Sequence, residues 1–473
     1  MYEVFSDLVE SISDFMYSYL LIILLLAVGL YFTFRTKFIQ FRMLGESIHI
    51  VTEKNENRNS VSAFQALMVS TASRVGTGNI VGVANAIAIG GYGSVLWMWI
   101  IALVGGASAF VESTLAQIYK KRDRHGNSYG GPSYYIEAAL HRRWLGIIFS
   151  IALIATYAIG FNMLCSYNLV TSLSGYHFYG NPETSSVPLI CGAVLAVLVG
   201  ICVLGGGKRI VKVTGILVPV MGTAYILMAL ITMLLNLETL PIVFKNIFVS
   251  AFDLKAIFGG FAGSAIMQGI KRGLYSNEAG VGSAPNAAAA ADVTHPVKQG
   301  LVQMLSVFID TILICTATAM MCLSSGITPS KALTGAPFVQ AALASTFGKF
   351  APFFITCSLL LFAFTTLLGN LFYCEGCLNY IANQTLSKKA LNSFRIAACA
   401  VVFFGALLDF GLVWNLSDVL MGIMALINLP VIVILRKHAL AALDDYIAQR
   451  KQGKSPTFKA SSIDITEKTD FWN

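Results

Sequence analysis

Long apolar runs separated by short polar stretches repeat along the whole chain. The first, Phe15 to Phe34, contains no charge. The pattern predicts eleven spans, at about 15–34, 62–91, 94–119, 144–173, 187–206, 212–236, 256–282, 298–325, 350–382, 392–411 and 414–435. Each is long enough to cross a hydrocarbon layer as a helix. Lipid offers the backbone no hydrogen-bond partner, so spanning segments are helices or a closed barrel. The short alternating strands of a barrel are missing, and an all-α polytopic membrane protein is the expected fold class.

Composition agrees. Of 473 residues, 56% are apolar and 12% charged, too little charge to cover a soluble protein of this size. The first run does not read as a cleavable leader, because Arg35 and Lys37 follow it instead of preceding it. Most of the nine cysteines fall inside apolar runs, where they serve as small packing residues. Cys374-x-x-Cys377 has no second pair and no nearby histidine, so no metal or redox role is assigned. All six histidines lie in loops or flanks, which argues against an imidazole proton relay.

Charge placement sets an orientation. One set of loops (35–60, 120–143, 207–213, 283–298, 385–395 and the tail) holds 25 of the 32 Lys and Arg residues. The opposite set holds only Lys245, Lys255, Lys331 and Lys349. The N-terminus is therefore expected outside the cell membrane and the C-terminus in the cytoplasm. The net charge of +8 marks the cytoplasmic face rather than nucleic-acid binding. The tail from Ala439 to Asn473 is polar and expected to be partly disordered.

Two spans look interrupted. Ser73-Arg74-Val75-Gly76-Thr77-Gly78-Asn79 puts a charge and two glycines in mid-membrane, and Gln268-Gly269-Ile270-Lys271-Arg272-Gly273 does the same in the seventh span. Polar groups are costly at that depth unless they line a cavity. The two interruptions stand five spans apart, and five is odd, so the second set of five helices is inverted relative to the first. The division is an N-terminal helix and loop (1–61), two inverted five-helix repeats (62–236 and 237–436) and a tail (437–473). That is the layout of a secondary transporter with its site between two broken helices.

A broken helix frees main-chain groups. The half-helix starting near Gly78 offers N–H groups and a positive dipole end to a carboxylate, with Gly76 allowing close approach and Thr77 and Asn79 adding polar side chains. Carbonyls from Ala72 to Val75 suit a hard cation, and those around Gln268 and Gly269 suit an ammonium. One site thus fits a zwitterionic amino acid. Phe362, Thr366 and Asn370 share a helix face in the ninth span, and Thr365 with Thr366 forms a hydroxyl pair. Such threonines commonly bond their own helix carbonyls; a sodium site is the competing reading. Asp310 is expected to pair with Arg74 or Arg272, and Glu112 or Glu278 with the other, as structural ion pairs or gates. No nucleophile with a base and no metal cluster points to an enzyme.

These motifs resemble the alanine or glycine:cation symporters over about residues 30–450. The resemblance is carried by Arg74 to Asn79, Trp97-Met98-Trp99, Gly130-Gly131-Pro132 with Tyr134-Tyr135, Ser276 to Ser283, Phe308 to Thr311, and Phe362 to Phe364. It implies a leucine-transporter-type fold with one extra N-terminal helix, and uptake of alanine or glycine with co-transported sodium or, alternatively, protons. It also implies sodium held by Ala72, Val75, Phe362, Thr365 and Thr366, and substrate held by Gly76 to Asn79 and the backbone near Gly269. This chain has Cys165-Ser166-Tyr167 where many members have Gln-x-Asn, Gly91-Tyr92-Gly93 where Gly-Pro-Gly is usual, and Asn370 where many have Trp. Tyr167 and Asn370 are then expected at the pocket, and the smaller Asn370 leaves glutamine open as a substrate.

Overall fold

The computed structural model describes residues 2–53, 60–122, 126–181, 184–252, 264–330, 333–383, 385–408, 410–463, 465 and 469–472. Lys255, Lys331 and the first part of the 256–282 span lie outside them. Among the described residues each expected span overlaps helix, and the second is in two pieces. Helix α1 is Glu3–Arg35. The second span is α2, Ala63–Arg74, followed by α3, Gly78–Gly90. Then come α4 (Gly93–Ile118), α5 (Pro132–Leu140), α6 (Arg143–Thr171), α7 (Val187–Val203), α8 (Gly207–Leu235) and α9 (Leu240–Ser250). The described helix of the seventh span is α10, Ala265–Asn277, and the short helix α11, Pro285–Ala290, follows beyond the span's expected end. It is followed by α12 (Pro296–Leu323), α13 (Gly335–Phe347), α14 (Phe350–Ile381), α15 (Lys388–Gly405), α16 (Phe410–Ile434) and α17 (Arg436–Lys451). Among the described residues, seven helices (α1, α4, α6, α8, α12, α14 and α16) are long and apolar enough to cross a membrane, and α3, α7 and α9 are shorter apolar helices.

Polarity is inverted relative to a soluble protein. Ile190, Val194, Val197 and Ile201 on α7 and Ile216, Val220 and Leu227 on α8 are exposed, while Arg74, Glu112, Glu278, Asp310 and Asp418 are buried. Lipid, not water, is the solvent that tolerates this distribution. Helix α2 starts at a reciprocal cap: Gln65 N–H donates to Ser62 Oγ (3.1 Å) and Ser62 N–H to Gln65 Oε1 (3.0 Å). Helix α4 runs through the middle of the fold and packs on α1, α10 and α12. The small residues Gly105, Gly106, Ala107 and Ala109 allow that approach; a Cβ on Gly105 would stand 2.9 Å from the Ala279 methyl.

The described residues of the tail make specific contacts. Helix α17 continues to Lys451, and the chain beyond it folds back on the ends of α4 and α11. Phe458 N–H bonds Thr294 O (3.1 Å), Trp472 Nε1 donates to Gln117 O (2.7 Å), and Phe458, Ala460, Ile465 and Trp472 are buried. Lys120 lies under the Phe471 and Trp472 rings, 4.6 and 4.9 Å from their centroids. A few aromatic anchors hold the described part of this polar segment.

Candidate functional site

The first interruption is where the sequence placed it. Val75 leaves the helix (φ −74°, ψ 85°) while its N–H still reaches Thr71 O at 2.7 Å. The Gly76 N–H, which would have bonded Ala72 O, goes to Asn79 Oδ1 at 2.8 Å. The Asn79 N–H, which would have bonded Val75 O, goes to Gly76 O at 3.2 Å. The carbonyls of Ala72 and Val75 are thereby released from the helical ladder. On the other side of the gap, Thr77 and Gly78 open a new helix whose first N–H groups have no intrahelical acceptor.

Helix α14 closes on this gap. Thr366 Oγ1 donates to the released Ala72 O at 3.1 Å, and a Cβ on Gly76 would lie 2.4 Å from the same hydroxyl. Gly76 is required by that approach, not by its dihedrals. Thr365 behaves differently. Its hydroxyl bonds back to Leu361 O (2.9 Å) and Phe362 O (3.2 Å), and the Phe362 ring packs on Tyr225 at 5.3 Å between centroids. The structure thus joins Ala72 to Thr366, while Thr365 and Phe362 turn to their own helix and to Met221 and Tyr225 on α8.

The second interruption is displaced. Gln268 and Gly269 lie in α10, which is continuous from Ala265 to Asn277. Gly269 and Gly273 are packing glycines: a Cβ on Gly269 would stand 2.4 Å from Ser94 O, and one on Gly273 2.6 Å from Ile101 Cγ2, both on α4. The chain breaks at Glu278 (φ +52°) and turns through Gly280 (φ +81°) and Gly282 (φ +93°) before α11. The left-handed backbone at 280 and 282 favours glycine. Gln268, seven residues before Tyr275, sits about 10 Å up the helix axis from the cavity described below.

The buried charges also pair differently from expectation. Asp310 touches neither arginine; it accepts from Asn79 Nδ2 (2.7 Å), Ser276 Oγ (2.7 Å) and Thr311 Oγ1 (2.8 Å). It therefore ties the start of α3 to the end of α10. Arg74 Nη1 donates to Gln303 O (3.1 Å), and no carboxylate among the described residues lies within ion-pair distance of it. Glu112 accepts from Gly280 N–H (3.2 Å) and Asn428 Nδ2 (2.7 Å), holding the second turn. Arg272 pairs with Asp418 (3.2 Å), as does Lys271 (3.1 Å), and Arg272 stacks on Trp414 at 4.3 Å. Asp418 escaped the sequence reading although it is an acid in an apolar run and two unmatched cations called for one.

Ser73, Arg74, Gly76, Thr77, Gly78, Phe161, Cys165, Tyr275, Glu278 and Thr366 enclose a cavity of about 10 Å³, room for about one water. The Tyr275 ring covers the α3 start, since a Cβ on Gly78 would stand 2.4 Å from its Cε1. Phe161 and Trp414 flank Tyr275 at 4.8 and 5.1 Å. Tyr167 and Asn370 are not among the lining residues; Cys165 is the residue of its motif that faces in. Asn370 stands one layer behind, accepting from Ser73 Oγ (2.8 Å) and donating to Asn162 Oδ1 (3.0 Å). Asn79 spends its amide on Gly76 and Asp310. Phe161 and Tyr275 were missed because aromatic residues in apolar spans are ordinary packing residues.

Residues 2–460 match the sodium:alanine symporter family. The chain is 46% identical to the amino-acid carrier protein AlsT of Bacillus subtilis over 99% of this chain and 98% of that one. It is 44% identical to the probable sodium/glutamine symporter GlnT of the same organism, over 97% and 94% of the two chains. The crystal structure of MhsT in complex with L-phenylalanine superimposes with a TM-score of 0.54 at 14% identity, covering 79% of this chain and 88% of that one, and shows the leucine-transporter-type fold.

Proposed function

The chain belongs to the sodium:alanine symporter family, and from that premise we propose that it carries alanine or glycine inward with sodium through the gap between α2 and α3. The observation that carries this reading is the release of the Ala72 and Val75 carbonyls beside the Thr366 hydroxyl, with Thr77 and Gly78 N–H groups across the same gap. Oxygen ligands suit sodium, and helix-start N–H groups suit a carboxylate. The Glu278 carboxylate on the opposite wall suits the substrate ammonium, a role the sequence had given to Gly269. Residues 62–236 and 237–436 form two inverted five-helix repeats after one extra helix, eleven crossings in all, with the N-terminus outside.

The cavity is too small for an amino acid, so uptake requires the Tyr275 ring to leave Gly78. That movement belongs to alternating access, with the α2–α3 and α10–α11 elements rocking against the rest. Asp310 positions both interruptions and touches neither ion nor substrate. One positive charge entering through 100 mV releases about 2.3 kcal/mol. A tenfold sodium gradient adds about 1.4 kcal/mol, and the sum supports roughly several-hundred-fold accumulation of a neutral solute. One sodium per substrate is sufficient.

Asn370 stands one layer behind the closed cavity, and glutamine remains the alternative substrate. A competition panel against labelled alanine in proteoliposomes, with and without a sodium gradient, tests the assignment. Alanine and glycine should compete and glutamine should not. Competition by glutamine alone would reverse the choice, and sodium-independent uptake driven by a pH gradient would replace sodium by protons.

A further inference from the structure

Where α1 ends, the chain makes a sharp turn that projects charge. Lys37 and Phe38 both take left-handed backbone (φ 55° and 58°), and the short helix Ile39–Arg42 follows. Helix α17, which continues directly from α16, lies beside this turn. Between them opens a cleft of about 460 Å³. Among the described residues, Arg35, Lys37, Arg42 and Lys451 line it with Asp444 as the lone acid, a net charge of +3. None of the four cations forms an ion pair with a described residue; Arg42 Nη2 reaches only Thr36 O, at 3.3 Å. Like charges gathered in a concavity repel one another and hold a standing potential for an anion.

The surroundings identify which anion. Arg35 closes the last turn of a membrane-length apolar helix, so the cleft sits at the boundary between hydrocarbon and water. On α1 and the turn below it, Leu30, Phe34, Phe38 and Phe41 are exposed, at 42, 63, 45 and 58%. Leu30 and Phe34 lie one turn apart on the hydrocarbon side of Arg35, and Phe38 and Phe41 neighbour the cleft's cations in sequence. A free phosphate would use the cations and leave this apolar strip without a role. A phospholipid would use both. We propose that this cleft is a binding site for the headgroup of an anionic glycerophospholipid, with its acyl chains lying along Phe34 and Leu30. The phosphodiester sits among Arg35, Lys37 and Arg42, and Lys451 and Leu443 close it from α17. The lipid bridges the first helix of the fold to the helix after the last span.

The test uses the full chain, purified in neutral detergent and stripped of lipid, with phosphatidylglycerol or phosphatidylcholine added and bound lipid counted by native mass spectrometry. Phosphatidylglycerol should be retained and phosphatidylcholine should not. Each cation near such a site is worth about five-fold in affinity, so Arg35→Gln with Arg42→Gln should weaken retention roughly 25-fold. Both side chains are exposed, so the variant folds, which an unchanged melting temperature confirms. Lys208→Gln with Arg209→Gln, in the first turn of α8 and of the same charge set, should leave retention unchanged. Equal retention of the two lipids, or equal losses in the two double variants, would overturn a specific site. Displacement of the lipid by millimolar glycerol phosphate would assign the cleft to a free phosphate instead.

Discussion

Thr365 and Thr366 are adjacent, yet the structure assigns them different work, and valine substitution separates them. Thr366→Val removes the hydroxyl 3.1 Å from the freed Ala72 carbonyl while keeping a branched side chain beside Gly76. A hydrogen bond or ligand contact to a charged group is worth about 1.5–3 kcal/mol. Loss of one oxygen of that class raises the half-saturating sodium concentration about 10- to 100-fold. Thr365→Val loses back-bonds to Leu361 O and Phe362 O, carbonyls of its own helix, and a weak 3.5 Å contact to Met221 Sδ on α8. Such bonds contribute little, and the shift should stay under about three-fold. The assay is initial alanine uptake by proteoliposomes across a range of sodium concentrations, with melting temperatures confirming that both variants fold. Equal shifts for the two, or a larger one for Thr365→Val, would refute the split and return both hydroxyls to the ion.

Asp310→Asn leaves one acceptor oxygen for three donors, each charge-assisted bond being worth about 1.5–3 kcal/mol, so uptake should fall at least about ten-fold; unchanged uptake would remove Asp310 from the mechanism. Gly78→Ala drives a methyl into the Tyr275 ring, an overpacking cost of about 1–3 kcal/mol, and uptake at the unmodified rate would show that the ring does not seat there. Asp418→Asn leaves Lys271 and Arg272 buried without a carboxylate, which should destabilise the protein by about 3–5 kcal/mol, read as a lowered melting temperature; no shift would mean water already compensates the pair. Burial pushes His295 down from 6.5 to about 4, with Asp445 opposing the shift and Lys298 favouring it. The docked state therefore binds fewer protons than the undocked state between those values. Docking of the tail, whose Phe458 meets His295 edge to face at 5.1 Å, weakens as pH falls through that window. Proteolysis of the tail should be faster at pH 5 than at pH 7.5, and equal rates would contradict this.

The first interruption was legible because an unbroken lipid-facing helix does not accommodate a charge and two glycines at mid-membrane depth. The second was misplaced by the same rule. Gly269 and Gly273 look like breakers in sequence, but they are thinned to let α4 approach, and a single chain does not reveal which neighbour a glycine serves. The true break, at Glu278 to Gly282, was present as a glycine-rich motif, and its signal was weaker than that of Lys271-Arg272. Those two cations turned out to belong to Asp418, 146 residues from Arg272 in sequence. Long-range pairing was also what hid the role of Asn79. It reads as a ligand in a polar motif, and its amide is committed to Gly76 and Asp310. Span positions were easier, since the solvent imposes them residue by residue.

The claim that the interrupted α2–α3 helix seats sodium and an amino acid together is tested most directly by following labelled sodium and labelled alanine into the same proteoliposomes. Alanine added outside should trigger sodium entry in a fixed ratio, and replacing sodium by choline at constant pH should abolish alanine accumulation. Alanine accumulation in choline, or sodium entry indifferent to alanine, would contradict the account.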